Sequence, residues 1–187
     1  MESCKNLLAI LNELTEDAQY VSEEEVQKVV NAILEANNLF VSGAGRSGFA
    51  ACAFSNRLLH LGFNVSFVGE PTTPPIKEGD LLILCSASGS TGSLVSNAKK
   101  AKANGAKIVL LTISGDSPLG EMSEACIRIP GITSKTNAKS VKKSTIQPRG
   151  SSFEQLTWLV CDSIVMYLKE KTNQTNDELY ARHANME

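Results

Sequence analysis

The chain has no charge excess, no long apolar run, no paired-cysteine motif and almost no histidine, and each gap removes a class of protein. Its 18 basic residues stand against 20 acidic ones, a formal charge of −2 over 187 residues. Nothing in that balance calls for nucleic acid or an anionic membrane as a partner. No apolar run approaches the roughly 18 residues that a membrane span needs. The cysteines, Cys4, Cys52, Cys85, Cys126 and Cys161, are scattered without C-x-x-C spacing. Cys85 and Cys161 lie in apolar runs and read as small core residues. Free thiols fit a cytoplasmic protein. Acidic residues such as Glu2, Glu13, Glu16 and Glu23 occupy the first 30 positions, so no signal or transit peptide is expected. There is no internal repeat and no low-complexity tract. No acid lies between Glu124 and Glu154.

What is present is a hydrophobic fraction of 42%, enough for a full core in one domain with helical arms. Leu7, Leu8, Ile10, Leu11 and Leu14 predict an amphipathic helix over about 2–14. Ser22-Glu23-Glu24-Glu25 reads as a capping box opening a second helix. These helices make up an N-terminal part, 1–37. From Leu39 apolar strands alternate with helices: strand 39–42, helix 47–61, strands 64–68 and 81–85, helix 92–103, strand 107–112, a helical turn near 117–122 and a strand from Cys126 to Ile129. Strands that are apolar throughout indicate a parallel sheet covered on both faces. This α/β core spans 38–130. A polar segment, 131–149, carries Lys135, Lys139, Lys142, Lys143 and Arg149 and reads as an active-site flap or a solvated loop. The C-terminal part, 150–187, holds helix 152–170, apolar almost all round and so suited to a subunit interface, and a last helix over about 176–184.

Two loops carry the chemistry. Gly43-Ala44-Gly45-Arg46-Ser47-Gly48 and Ser86-Ala87-Ser88-Gly89-Ser90-Thr91-Gly92 each run from an apolar strand into a helix. Small residues there expose backbone N–H groups at the positive helix end, which makes an anion site, usually for phosphate. Ser86, Ser88, Ser90 and Thr91 add hydroxyl donors. Residues 43–48 also spell G-x-G-x-x-G, and Glu70 follows at about the offset of a ribose-binding acid in a dinucleotide fold. Arg46 and the second, hydroxyl-rich loop have no place in that fingerprint. Two phosphate-type loops in one small domain point instead to a phosphorylated metabolite.

The pairing of these loops resembles the sugar isomerase (SIS) fold. The stretches Val41 to Gly48, Arg57 to Val65, Val68-Gly69-Glu70, Gly150-Ser151-Ser152-Phe153-Glu154-Gln155 and Ala181-Arg182-His183-Ala184-Asn185 look like the 6-phospho-3-hexuloisomerase family, over nearly the whole chain. The resemblance implies a three-layer, flavodoxin-like sandwich with a five-stranded parallel sheet. It implies interconversion of 3-hexulose 6-phosphate and fructose 6-phosphate through an enediolate, without metal or redox cofactor. It also implies a homo-oligomer, a dimer or a tetramer of two dimers, and 3-hexulose-6-phosphate synthase as a pathway neighbour. Other readings are an isomerase for arabinose 5-phosphate or sedoheptulose 7-phosphate, and a sensor that binds sugar phosphate without turnover.

Glu154 resembles the family's base, although Ser151-x-x-Glu154 is itself a capping-box pattern. The resemblance places His183 in a tail that packs into a neighbouring subunit's site, while His60 reads as a packed core histidine. Gly45, Arg46 and Ser47 are candidate contacts to substrate oxygens or phosphate, and Ser86, Ser88, Ser90 and Thr91 candidate phosphate ligands. Glu70 is a sugar-hydroxyl acceptor or a structural residue at a strand end. The family loop commonly reads Ser-Gly-Ser-Gly-Glu-Thr; here Ala87 and Ser90 replace a glycine and a glutamate. Ala87 matters if that position needs positive φ.

Overall fold

The computed structural model describes residues 3–134 and 144–186. Lys135, Lys139, Lys142 and Lys143 of the expected polar segment lie outside the described residues. The chain order is α1 (Lys5–Ala18), α2 (Glu23–Glu35), β1 (Leu39–Gly43), α3 (Gly45–His60), β2 (Val65–Phe67), β3 (Leu81–Cys85), α4 (Gly92–Ala103), β4 (Lys107–Thr112), a 3-10 turn (Gly120–Met122), β5 (Ala125–Arg128), α5 (Ser151–Lys171) and α6 (Asn176–Ala181). The strands form one five-stranded sheet in the order β2-β1-β3-β4-β5, with every pairing parallel.

Side-chain alternation along the central strands builds two cores. Leu81, Ile83 and Cys85 of β3 and Val109 and Leu111 of β4 pack with α2, α3 and α5 on one face. Leu82, Leu84, Ile108 and Leu110 pack with Leu94, Ala98 and Ala101 of α4 on the other. A strand buried on both faces has no room for polar alternation, which is why β3 is apolar from end to end. The result is the three-layer parallel sandwich that the resemblance implied, in the flavodoxin-like strand order.

One expected local feature comes out differently, and two helices leave apolar residues uncovered in the single chain. Ser22 does cap α2, its Oγ accepting from the Glu25 backbone N–H at 3.4 Å. The Glu25 carboxylate does not return to Ser22, as the capping box predicts; it accepts from the backbone N–H of Arg128 at 2.9 Å and from its Nε at 2.7 Å. An ion pair outcompetes a local bond here and ties α2 to the edge strand β5. Helix α5 is buried only along one side: Phe153, Ile164 and Leu168 are fully enclosed, while Trp158, Leu159 and Met166 remain exposed. The amphipathic α1 likewise leaves Leu7, Leu8 and Leu11 about half exposed. His60 is buried at 3% exposure, as a packed histidine should be. The last helix stops at Ala181, and its capping box, Thr175 with Glu178, was not anticipated.

The first loop owes its form to backbone contact. A Cβ at Gly43 would stand 2.8 Å from Gly48 Cα and 3.0 Å from Gly48 N. A Cβ at Gly48 would stand 3.0 Å from Gly43 O. Helix α3 therefore leaves β1 with its backbone against the strand end. Gly45 has open space around it but a φ of +58°, a conformation that costs other residues energy. Gly43→Ala should lower stability by about 1–3 kcal/mol, because backbone atoms cannot swing aside. Gly45→Ala should cost only about 1 kcal/mol. Urea unfolding midpoints of the two variants check the difference.

Candidate active site

The register of the sheet brings the two loops together. Gly43, the last residue of β1, is the lateral partner of Cys85, the last of β3. After β1 the chain crosses to β2 on one side, then returns to β3 on the other. This is a topological switch point, where the connections diverge and open a crevice beyond the strand ends. A cleft of about 340 Å³ lies there. Gly45, Arg46 and Ser47 line one wall, and Ser86, Ser88 and Thr91 another. The N-terminal end of α5 brings Glu154 into the same cleft.

The hydroxyl loop is preorganised by its own bonds. Ser86 and Ser88 are buried. Ser86 Oγ and Thr91 Oγ1 lie 3.4 Å apart, and Ser88 Oγ accepts from the Ser90 backbone N–H at 3.3 Å and from Ser90 Oγ at 3.2 Å. Thr91 is the N-cap of α4, yet its side chain makes no capping bond. Its hydroxyl is thus turned to Ser86 and the cleft. Gly89, not residue 87, takes the positive φ, at +61°, with Ser117 packed where its Cβ would be. Ala87 has an ordinary backbone, so losing glycine there costs the loop nothing. Ser90 is exposed and reaches the cleft only through Ser88.

Glu154 is not in a capping box. The N-cap of α5 is Gly150, at φ 96°, so Ser151 is already helical. The Glu154 carboxylate instead accepts from Arg46 Nε, joining the first turns of α3 and α5 across the cleft. Glu154 is mostly covered, its side chain 19% exposed against 65% for Arg46. The paired carboxylate raises the Arg46 pKa above its ordinary value, chiefly through the hydrogen bond. The Arg46 guanidinium keeps its charge across any usable pH. Cys85 lines the cleft, and the buried Cys161 thiol is pushed well up by its hydrogen bond with Cys85 and by burial. It stays a neutral packing group and no nucleophile.

Two predicted site residues lie elsewhere. Glu70 sits exposed in the turn after β2, its backbone N–H donating to Phe67 O and its carbonyl accepting from Thr73, and it does not line the cleft. His183 lies in a second cleft between α3 and α5. Its ring stacks on His60 with centroids 5.0 Å apart. Within one chain the structure does not bring His183 to Glu154. The tail that carries it is fastened by Arg182, whose Nη1 donates to His60 O at 3.0 Å, Gln174 Oε1 at 2.8 Å and Glu178 O at 3.2 Å. Three further cleft residues, Thr133, Ser134 and Arg149, belong to the segment read as an active-site flap or a solvated loop and were not singled out. The one hint in the sequence was the basic stretch free of acids before Glu154.

Residues 32–148 match the profile of the SIS domain, so the fold and the paired loops define a SIS protein. A Bacillus subtilis protein named 3-hexulose-6-phosphate isomerase is 42% identical over 187 residues, with both chains fully covered. A Mycobacterium gastri protein of the same name is 36% identical, over 97% of this chain and 90% of that one. A crystal structure from Methanococcus jannaschii, whose authors inferred the same activity, superposes with a TM-score of 0.81 at 30% identity. It covers 98% of this chain and 100% of its own. The chain belongs to the 3-hexulose-6-phosphate isomerase family of SIS proteins.

Arg182→Ala should release the tail. Its partners are part-buried or exposed, so the global cost is about 1 kcal/mol or less. The expected readout is faster hydrogen exchange and proteolysis confined to residues beyond Thr175, with the melting of the core little changed.

Proposed function

We propose that this chain interconverts 3-hexulose 6-phosphate and fructose 6-phosphate. The observation that carries the reading is a carboxylate, Glu154, facing a hydroxyl-rich anion loop across one cleft at the switch point of the sheet. The names of full-length relatives at 42% and 36% identity supply the substrate. The phosphate takes the loop Ser86, Ser88 and Thr91 at the N-terminus of α4, where hydroxyls and the helix dipole favour an anion. The sugar carbons then extend towards Glu154.

With the ketone at C3, Glu154 takes the proton from C2, and the electrons of that bond form an enediolate. The same carboxyl returns the proton to C3 while the hydroxyl proton on the C2 oxygen passes to the C3 oxygen and the C2 oxygen becomes the carbonyl, with no net change in oxidation state. Arg46 is bonded to Glu154 through Nε, which leaves its terminal nitrogens for the developing oxyanion. Gly45 and Ser47 shape the same wall. Glu70, outside the cleft, takes a structural role in the turn after β2.

The reading includes a homodimer or a tetramer of two dimers. Leu11, Phe49, Trp158 and Leu159 line an exposed apolar groove, and Arg46 and Glu154 border both that groove and the site cleft. Gln155 Oε1, beside it, is buried without a partner among the described residues. A second copy laid over this groove would close the cleft, and exposed His183 would act in a neighbour's site on ring opening or proton transfer. In the cytoplasm, 3-hexulose-6-phosphate synthase would be the neighbouring step.

Glu154→Gln keeps the shape and removes the base. It should lower kcat by about 100- to 10,000-fold while sugar-phosphate binding persists. The assay follows fructose 6-phosphate formation from ribulose 5-phosphate and formaldehyde with the synthase present. A wild-type chain that binds sugar phosphate without turnover is a sensor or acts on another sugar. For the shared site, mixing Glu154→Gln protein with protein lacking residues 181–187 should restore part of the activity that neither has alone. A tail deletion with full activity would remove His183 from the mechanism.

A further inference from the structure

The charge in the cleft does not match a phosphate unless Arg149 is included. Arg46 is committed to Glu154, so the two cancel. The loop from Ser86 to Thr91 offers hydroxyls and amides but no formal charge, and the end of α4 contributes only about half a charge. A phosphomonoester is close to a dianion at neutral pH. Among the described residues lining the cleft, the remaining cation is Arg149. It has no ion-pair partner among the described residues.

Its position is fixed from both sides. On the N-terminal side, the Glu13 carboxylate of α1 accepts from the Ile146 backbone N–H at 3.1 Å and from Gln147 Nε2 at 2.8 Å. On the C-terminal side, the Gly150 N–H donates to Ile132 O at 2.8 Å. Gly150 takes the positive φ that starts α5. The two residues between Gln147 and Gly150 are thus held at the cleft mouth beside Thr133 and Ser134. Restraint of this kind matters, because a side chain carried on an ordered backbone loses less freedom on binding.

We propose that Arg149 supplies the counter-charge for the substrate phosphate and that Glu13 positions it there. The proposal rests on the isomerase reading for the identity of the substrate, but not for the anion. The test is calorimetric titration with inorganic phosphate, alongside KM and kcat for the sugar phosphate, on wild type, Arg149→Gln, Arg149→Lys, Glu13→Ala and the Glu13→Ala/Arg149→Gln double variant. Arg149 is exposed, so its substitutions should leave the melting curve in place. Arg149→Gln should weaken phosphate binding and raise KM about tenfold, with the loss falling on KM far more than on kcat. Arg149→Lys should recover part of it, as a point charge without the fork. Glu13→Ala should weaken phosphate severalfold, and add little once Arg149 is gone. Phosphate affinity unchanged in Arg149→Gln, a loss confined to kcat, or no phosphate binding by the wild type would each overturn the proposal. Phosphate binding that depends on Arg149 in a chain without turnover would uphold it and sink only the assigned reaction.

Discussion

Everything at the site depends on the pairing of β1 with β3. Had the chain returned to the same side of β1, the two loops would end at strands that are not neighbours. No crevice would open between them. The register that sets Gly43 beside Cys85 makes both loops start at one height. Parallel pairing then aims α3 and α4 away from one point, with their amide ends towards it. The apolar strands hold that register because a slip of one residue would turn Leu82 and Leu84 into the wrong core.

Much of this could be read from the sequence. The central strands and α4 match expectation because unbroken apolar runs and glycine-rich stops leave little choice. The G-x-G-x-x-G spelling of residues 43–48 has a packing account of its own. Gly43 and Gly48 serve the packing of α3 on β1, a need any strand-to-helix turn of this type shares with a dinucleotide fold. Motif spelling reports backbone geometry before it reports ligand.

What was not legible depended on side chains meeting over long sequence distance. Two capping-box patterns, at Ser22 and at Ser151, were overridden when Glu25 found Arg128 and Glu154 found Arg46. A local rule cannot see a cation that is 103 or 108 residues away. Arg149 was legible only as one of several basic residues in a stretch that reads as an active-site flap or a solvated loop. The bonds from Glu13 and to Ile132 show that this part of it is held against the cleft. His183 marks a different limit, since a single chain shows where it rests beside His60 and not what it meets in an assembly.

Helix α1 joins two things that sequence distance keeps apart. One side of it presents Leu7, Leu8 and Leu11; Glu13, on the same rigid rod, grips residues 146 and 147 at the cleft mouth. A body that settles on those leucines biases the mouth of the cleft to the extent that it shifts α1. By thermodynamic reciprocity, an anion held in the cleft must then bias that docking by an equal free energy. A helix that touches no substrate would in this way make self-association and ligand occupancy two readings of one equilibrium.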